Sequence, residues 1–177
     1  MKKSDFTLIK KFLSKNTSLE NKDQIIRFYS DFYLSTSQID KSCEIFDFVE
    51  LVSNDYLNYF KMYCLIKQNK RDQAQLLFDL TSELGSINDF FKKKFNILMG
   101  YEKEDELISD KNILFFHLSH ITNKNFFYEP NTDTPKFIWN YLSAVNLLTK
   151  TDLVDIKNTD QVKLIEKATN EGIYEEK

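Results

Sequence analysis

Along most of this chain the apolar side chains recur three or four residues apart with polar ones between them, the period of helices that each turn one face to a core. The spacing and its capping residues predict helices over about 4–14, 20–35, 38–52, 54–68, 71–84, 86–100, 110–121, 134–148 and 159–170, with no strand required. Phe6, Ile9 and Leu13 form the inner face of the first, and Ile25, Phe28, Tyr29 and Phe32 that of the second. The third carries two stripes, Ile45, Phe48, Val49 and Val52 beside Ile39, Cys43 and Phe46, as a helix with two neighbours would. After a break at Ser53-Asn54, Asn54 is suited to cap the fourth helix. That helix is apolar almost all round, apart from Asn58, Lys61 and Gln68, and is expected to be the most buried.

In the fifth helix Ala74, Leu77, Phe78, Thr81 and Leu84 face inward, Asp72, Gln75, Asp79 and Glu83 face outward, and Gly85 is a natural stop. Ser86 reads as the cap of the sixth. That helix buries Phe90, Phe91, Phe95 and Leu98, presents Lys92-Lys93-Lys94 as a basic outer face, and ends at Gly100 before a solvated acidic loop, Glu102 to Glu106. Ile113 to Leu118 mark a buried seventh helix, and Asn123 to Asp133 is the longest irregular stretch. Thr134-Pro135 opens the eighth, because proline at the first helical position loses nothing by lacking an N–H. Its inner face is Phe137, Ile138, Tyr141, Leu142, Val145 and Leu148. Val162, Ile165, Ala168 and Thr169 face inward in the last helix, which Gly172 closes.

Short polar loops between successive amphipathic helices produce antiparallel hairpins that stack side by side, so residues 1–177 are expected to form one all-α, α-solenoid-like domain. The segment Lys67-Gln68-Asn69-Lys70-Arg71-Asp72-Gln73-Ala74-Gln75-Leu76-Leu77-Phe78 resembles the turn and second helix of a tetratricopeptide repeat, with Ala74 and Phe78 at its small and large packing positions. Asn58, Lys61 and Met62 depart from that pattern in the preceding helix, where the repeat has an aromatic, a leucine and a small residue. The best repeat-like unit is 38–100. The region from about Ser37 to Gly100 is also similar to uncharacterised long helical proteins of α-proteobacteria taken to be exported, a resemblance that implies an envelope location.

Composition narrows the class. Three glycines and two prolines are too few for a sheet protein rich in tight turns, and a 42% apolar, 15% aromatic chain can build a core. A net charge of -3 and a pI near 5.5 give no long-range attraction to nucleic acid or anionic lipid, so neither is expected as a partner. No run reaches the length of a membrane span, and Met1 to Leu13 lacks the apolar core of a secretion signal. A cytoplasmic location follows if Met1 is the true start. A periplasmic one follows if the chain is an excerpt of an exported protein, a case in which the charged stretch Tyr174 to Lys177 could open another helix.

Chemistry-bearing patterns are few. There is no phosphate-binding glycine loop, nucleophile elbow, paired-cysteine zinc motif or metalloprotease signature, and no cofactor is expected. His117 and His120, the two histidines, stand one helical turn apart and could share a metal or act as acid and base, with Asp110, Tyr128 and Glu129 as loose companions; burial in the core is the competing reading. Asp79 and Glu83 make a carboxylate pair that solvation explains. Trp139, beside the aromatic loop that holds Phe127 and Tyr128, either anchors a partner or is covered by that loop. Cys43 and Cys64 lie at equal distances from the turn at Ser53-Asn54, so an antiparallel hairpin brings them to the same height. They would be thiols in a reducing compartment and a disulfide in an oxidising one, if both face the shared interface. The expected function is a non-catalytic helical-repeat module that binds another protein or scaffolds it. The alternatives are an architectural domain of a larger cell-envelope enzyme, or a metal-dependent enzyme using His117 and His120.

Overall fold

The computed structural model describes residues 6–15, 21–48, 54–148 and 155–173, and among these the regular structure is helical throughout. The helices are α1 (Phe6–Lys15), α2 (Lys22–Ser35), α3 (Ile39–Glu44), α4 (Asp55–Lys67), α5 (Arg71–Glu83), α6 (Asp89–Met99), α7 (Ile113–Ile121), α8 (Lys136–Ala144) and α9 (Thr159–Asn170). Asparagine opens four of them. The side chains of Asn54, Asn88, Asn112 and Asn158 each accept a backbone N–H from the first turn of α4, α6, α7 and α9, satisfying donors that a helix cannot pair internally. Asn88 thereby replaces Ser86 as the cap of α6, because the helix starts at Asp89, three residues after Ser86, whose carbonyl accepts the Tyr59 hydroxyl.

Three helices differ from the pattern-based expectation. The third stops being α-helical at Glu44 and tightens into a 3-10 turn, Ile45–Phe48. Ile45 and Phe46, expected on two neighbouring stripes, are both buried there, as they would be between two neighbours. The expected inward positions Val49 and Val52, and the side chains of Phe6, Ile9 and Phe48, lie outside the described residues. In α2 the buried line is Ile26, Ser30, Tyr33 and Leu34, whereas Phe28 is exposed. Serine decides this rotation: Ser30, Ser35 and Ser42 are wholly buried, and the Ser42 hydroxyl donates to the Ser30 carbonyl at 2.8 Å, so α2 and α3 approach along small side chains. The eighth helix ends at Ala144, before Val145 and Leu148.

The α4/α5 hairpin turns through Asn69 at φ 60°, a left-handed conformation that asparagine tolerates better than most residues, with the Lys70 N–H closing on the Leu65 carbonyl at 2.8 Å. From there α6 packs on α4 and α7 on α6. The N-terminal part behaves otherwise. Helix α2 pairs with α3 and also packs on α7 and α8, far away in sequence, a closure that a strictly linear stack of repeats lacks.

The most enclosed element is α7 instead of α4. Seven consecutive residues, Ile113 to Ser119, are buried in a helix of 9, against 7 buried residues among the 13 of α4. Its aromatic side chains explain why: Phe115 lies against Tyr59 of α4 and Phe90 of α6, while Phe116 meets Tyr141 of α8 and the loop residues Phe126 and Tyr128.

Candidate functional site

Chemistry-bearing side chains gather in two buried places. The first is a row of rings through the centre. The Tyr63 hydroxyl is 2.7 Å from His117 Nε2, His117 Nδ1 is 2.8 Å from the Tyr141 hydroxyl, and that hydroxyl is 2.7 Å from His120 Nδ1. Tyr141 has one proton for two histidine neighbours, so it donates to one and accepts from the other. One assignment gives both hydroxyls an acceptor: Tyr63 donates to His117 Nε2, His117 Nδ1–H donates to Tyr141, and Tyr141 donates to His120 Nδ1. Burial pushes His117 down to about 3, helped by His120 and Lys67, and burial lowers His120 as well. The same burial raises Tyr63 and Tyr141, so the row is neutral at ordinary pH.

The second place is where α2 meets α4. Tyr56 donates its hydroxyl to Asp31 Oδ1 at 2.5 Å, and Arg27 stands 3.7 Å from Asp31 Oδ2 with its guanidinium 4.8 Å from the centre of the Tyr56 ring. Burial pushes Asp31 up to about 6, outweighing the Tyr56 hydrogen bond and the Arg27 charge, which pull the other way.

A third polar pair corrects two expectations about the surface. Lys94, read as part of a basic outer face, is fully buried, and its Nζ pairs with Asp105 of the loop read as merely solvated. Lys93 adds a second contact to that carboxylate at 3.5 Å. The loop is tied to α6 by this buried ion pair.

Trp139 is 2% exposed, covered by the loop Phe126 to Pro130 and by Leu164 and Ile165 of α9, with a cavity of about 140 Å³ between them. Trp139 itself is therefore no surface anchor, although Trp139, Phe127 and Tyr128 do line that one cavity together, from its buried floor to its exposed rim. Tyr128 is half-buried on Phe116, with its hydroxyl 3.1 Å from Asp110, and Phe127 alone projects. Cys43 and Cys64 are joined by a disulfide, their α-carbons 5.2 Å apart, which ties α3 to α4.

The outer face of α5 is what the pattern missed. Leu76, Leu80 and Leu84 are 62%, 52% and 81% exposed, and their spacing of four sets them in one ridge along the helix. Ala74, Phe78 and Thr81 make the buried face, with the Phe78 ring stacked on Phe95 at 4.3 Å. Leu84 was expected inward with them. The signal was present: in a helix whose inner line is 74, 78 and 81, positions 76 and 80 fall on the far side, while Leu84 falls at its flank and at the C-cap, past the buried line.

No family model, curated protein or solved structure matches this chain. Function is therefore argued from the sites alone. Both nitrogens of His117 are engaged by tyrosine hydroxyls, which leaves no lone pair on that ring for a metal, and the described residues contain no group of three or more His, Cys, Asp or Glu that could hold one. The buried row and the Asp31 cluster satisfy their own polar atoms. Among the described residues nothing covers the α5 ridge, which makes it the better candidate for function. No helix among the described residues is long and apolar enough to cross a membrane.

Proposed function

We propose that this protein is a non-catalytic helical module whose outer α5 face holds another protein. The observation that carries the reading is the ridge Leu76, Leu80 and Leu84, three large apolar side chains exposed together. Single exposed leucines need no explanation, whereas a contiguous apolar ridge on a soluble surface marks a docking site. The repeat-like reading of 38–100 belongs to this proposal: Ala74 and Phe78 pack inward on the α4/α5 hairpin, and successive hairpins present their outer helices for binding. A photo-crosslinking residue at position 80, introduced in the native host, is expected to give a discrete protein adduct that disappears in the variant Leu76→Ser/Leu84→Ser. The same residue at Lys163, on α9, is expected to give none. Silence at position 80, or equal adducts at both positions, would sink the reading.

A second reading, an architectural domain of a larger cell-envelope enzyme, draws on the paired cysteines, since disulfides persist in oxidising compartments. Thiol titration of the denatured native protein, isolated without reductant, tests it. Two free thiols would remove its support.

A further inference from the structure

We infer that the α5 ridge is built for an amphipathic helix of another protein that carries lysine or arginine along one edge. This rests on the docking reading above and goes further by naming the partner's chemistry. The ground for it is charge. Asp72, Asp79 and Glu83 each stand three or four residues from a ridge leucine, so helical spacing lines all three along one side of the ridge. Within α5 the opposite side holds Gln73 and the half-buried Leu77 and carries no carboxylate, and Lys70 stands at its N-terminal end. A partner whose apolar ridge is bordered by basic side chains on the matching side would bury the leucines and meet the carboxylates at the rim. There charge sets orientation and choice of partner more than raw affinity.

Geometry narrows the partner further. Leucines at every fourth position form an i±4 ridge, and such ridges interdigitate with those of another helix crossing at about 50°. A second copy of this chain is a poorer occupant. In an antiparallel two-fold pair the acidic edges fall side by side, and like charges repel at that distance. An anionic lipid surface is disfavoured by the same carboxylates.

The test uses the full chain and two synthetic helical probes with leucines at every fourth position, one with lysines along an edge and its twin with glutamates in their place. By fluorescence anisotropy the lysine probe is expected to bind the protein in about the micromolar range, and the glutamate twin at least about tenfold more weakly. Leu80→Ser, with helicity and thermal midpoint unchanged, should weaken the lysine probe by about tenfold or more. The triple variant Asp72→Lys/Asp79→Lys/Glu83→Lys should reverse the preference between the twins. Equal binding of the twins, or no loss in Leu80→Ser, overturns the inference. If sedimentation instead finds a dimer that Leu80→Ser dissolves, and neither twin is preferred, the basic partner falls while docking through α5 stands. If position 80 also gives no crosslink, both fall.

Discussion

The interior around α7 and the outer face of α5 break the usual rule of burial in opposite directions. Around α7 the protein buries His117, Tyr63 and Tyr141 at 2% exposure or less, and on α5 it leaves three leucines in water. The difference lies in how each is compensated. The hydroxyls of Tyr63 and Tyr141 and both ring nitrogens of His117 find partners within 2.8 Å, so their burial is compensated, and the row fixes how α4, α7 and α8 register. The leucines of α5 stay largely uncovered by the described residues. Compensated exceptions of this kind belong to the fold, and uncompensated ones point outside the molecule.

The largest effect is expected where compensation is removed. His117→Leu keeps much of the volume but strands the Tyr63 hydroxyl, at about 1–3 kcal/mol for a buried group left unpaired, and takes one of two partners from Tyr141, which keeps His120, while leucine fills the space of the ring imperfectly. The variant should lose about 3–5 kcal/mol in urea unfolding, and a loss under about 1 kcal/mol would show that the row is not structural. Next comes the inner face of α5. Phe78→Ala should cost about 3–5 kcal/mol by emptying the space stacked on Phe95. Asp79→Ala, one residue on, should stay within about 0.5 kcal/mol, and equal effects would mean that the helix faces the other way.

The buried charges give a smaller effect with a sign that can be checked. His117 is lowered to about 3 in the fold, so its contribution is fully present above its ordinary value of 6.5 and is lost progressively as pH falls towards 3. Asp31 is raised to about 6 from 3.8, so the protonated form is favoured in the fold; its contribution is present below about 3.8 and is lost as pH rises to about 6. Between about pH 4 and 6 the two slopes oppose each other, and the native protein should show little net dependence from this pair. Asp31→Asn keeps an acceptor for Tyr56 and removes one slope. It should gain on the order of 2–3 kcal/mol at pH 7, a gain that fades by about pH 4, leaving the acid loss due to His117 exposed in chemical denaturation at stepped pH. A gain that is the same at pH 4 and pH 7 would mean that Asp31 does not titrate high.

How far the sequence discloses all this follows from what each feature depends on. Helices with strong apolar periods, such as α6 and α9, and ends such as the Asn54 cap and the stops at Gly85 and Gly100 are local properties, so they could be read from spacing and caps. Tertiary closure was not legible, because the packing of α2 on α7 and α8 depends on small serines and on polar groups that a hydrophobic pattern counts as surface. Lys94 is the clearest instance. Three lysines in a row look alike, and only Asp105, eleven residues on, decides which is buried. The same holds at the candidate site: Leu84 looked like core because it is leucine, and only its place at the flank and C-cap of α5, past the buried line of Ala74 and Phe78, leaves it outside.

The smallest stability effect is the one that bears most on function. Leu84 is 81% exposed and Leu80 52%, so neither loses much apolar burial when shortened, and Leu80→Ser or Leu84→Ser should change unfolding free energy by no more than about 0.5 kcal/mol. Serine has a lower helix propensity than leucine, by a few tenths of a kcal/mol, roughly, and that is most of the expected loss at position 80. Position 84 sits at the C-cap of α5, where propensity counts less, so its loss should be the smaller of the two. If either change instead cost about 2 kcal/mol or more, the leucine would be packed against this chain's own residues, and the ridge would be part of the fold instead of a docking face. Paired with the deep loss expected for Phe78→Ala two residues away from Leu80, the comparison measures both faces of one helix in a single set of unfolding curves.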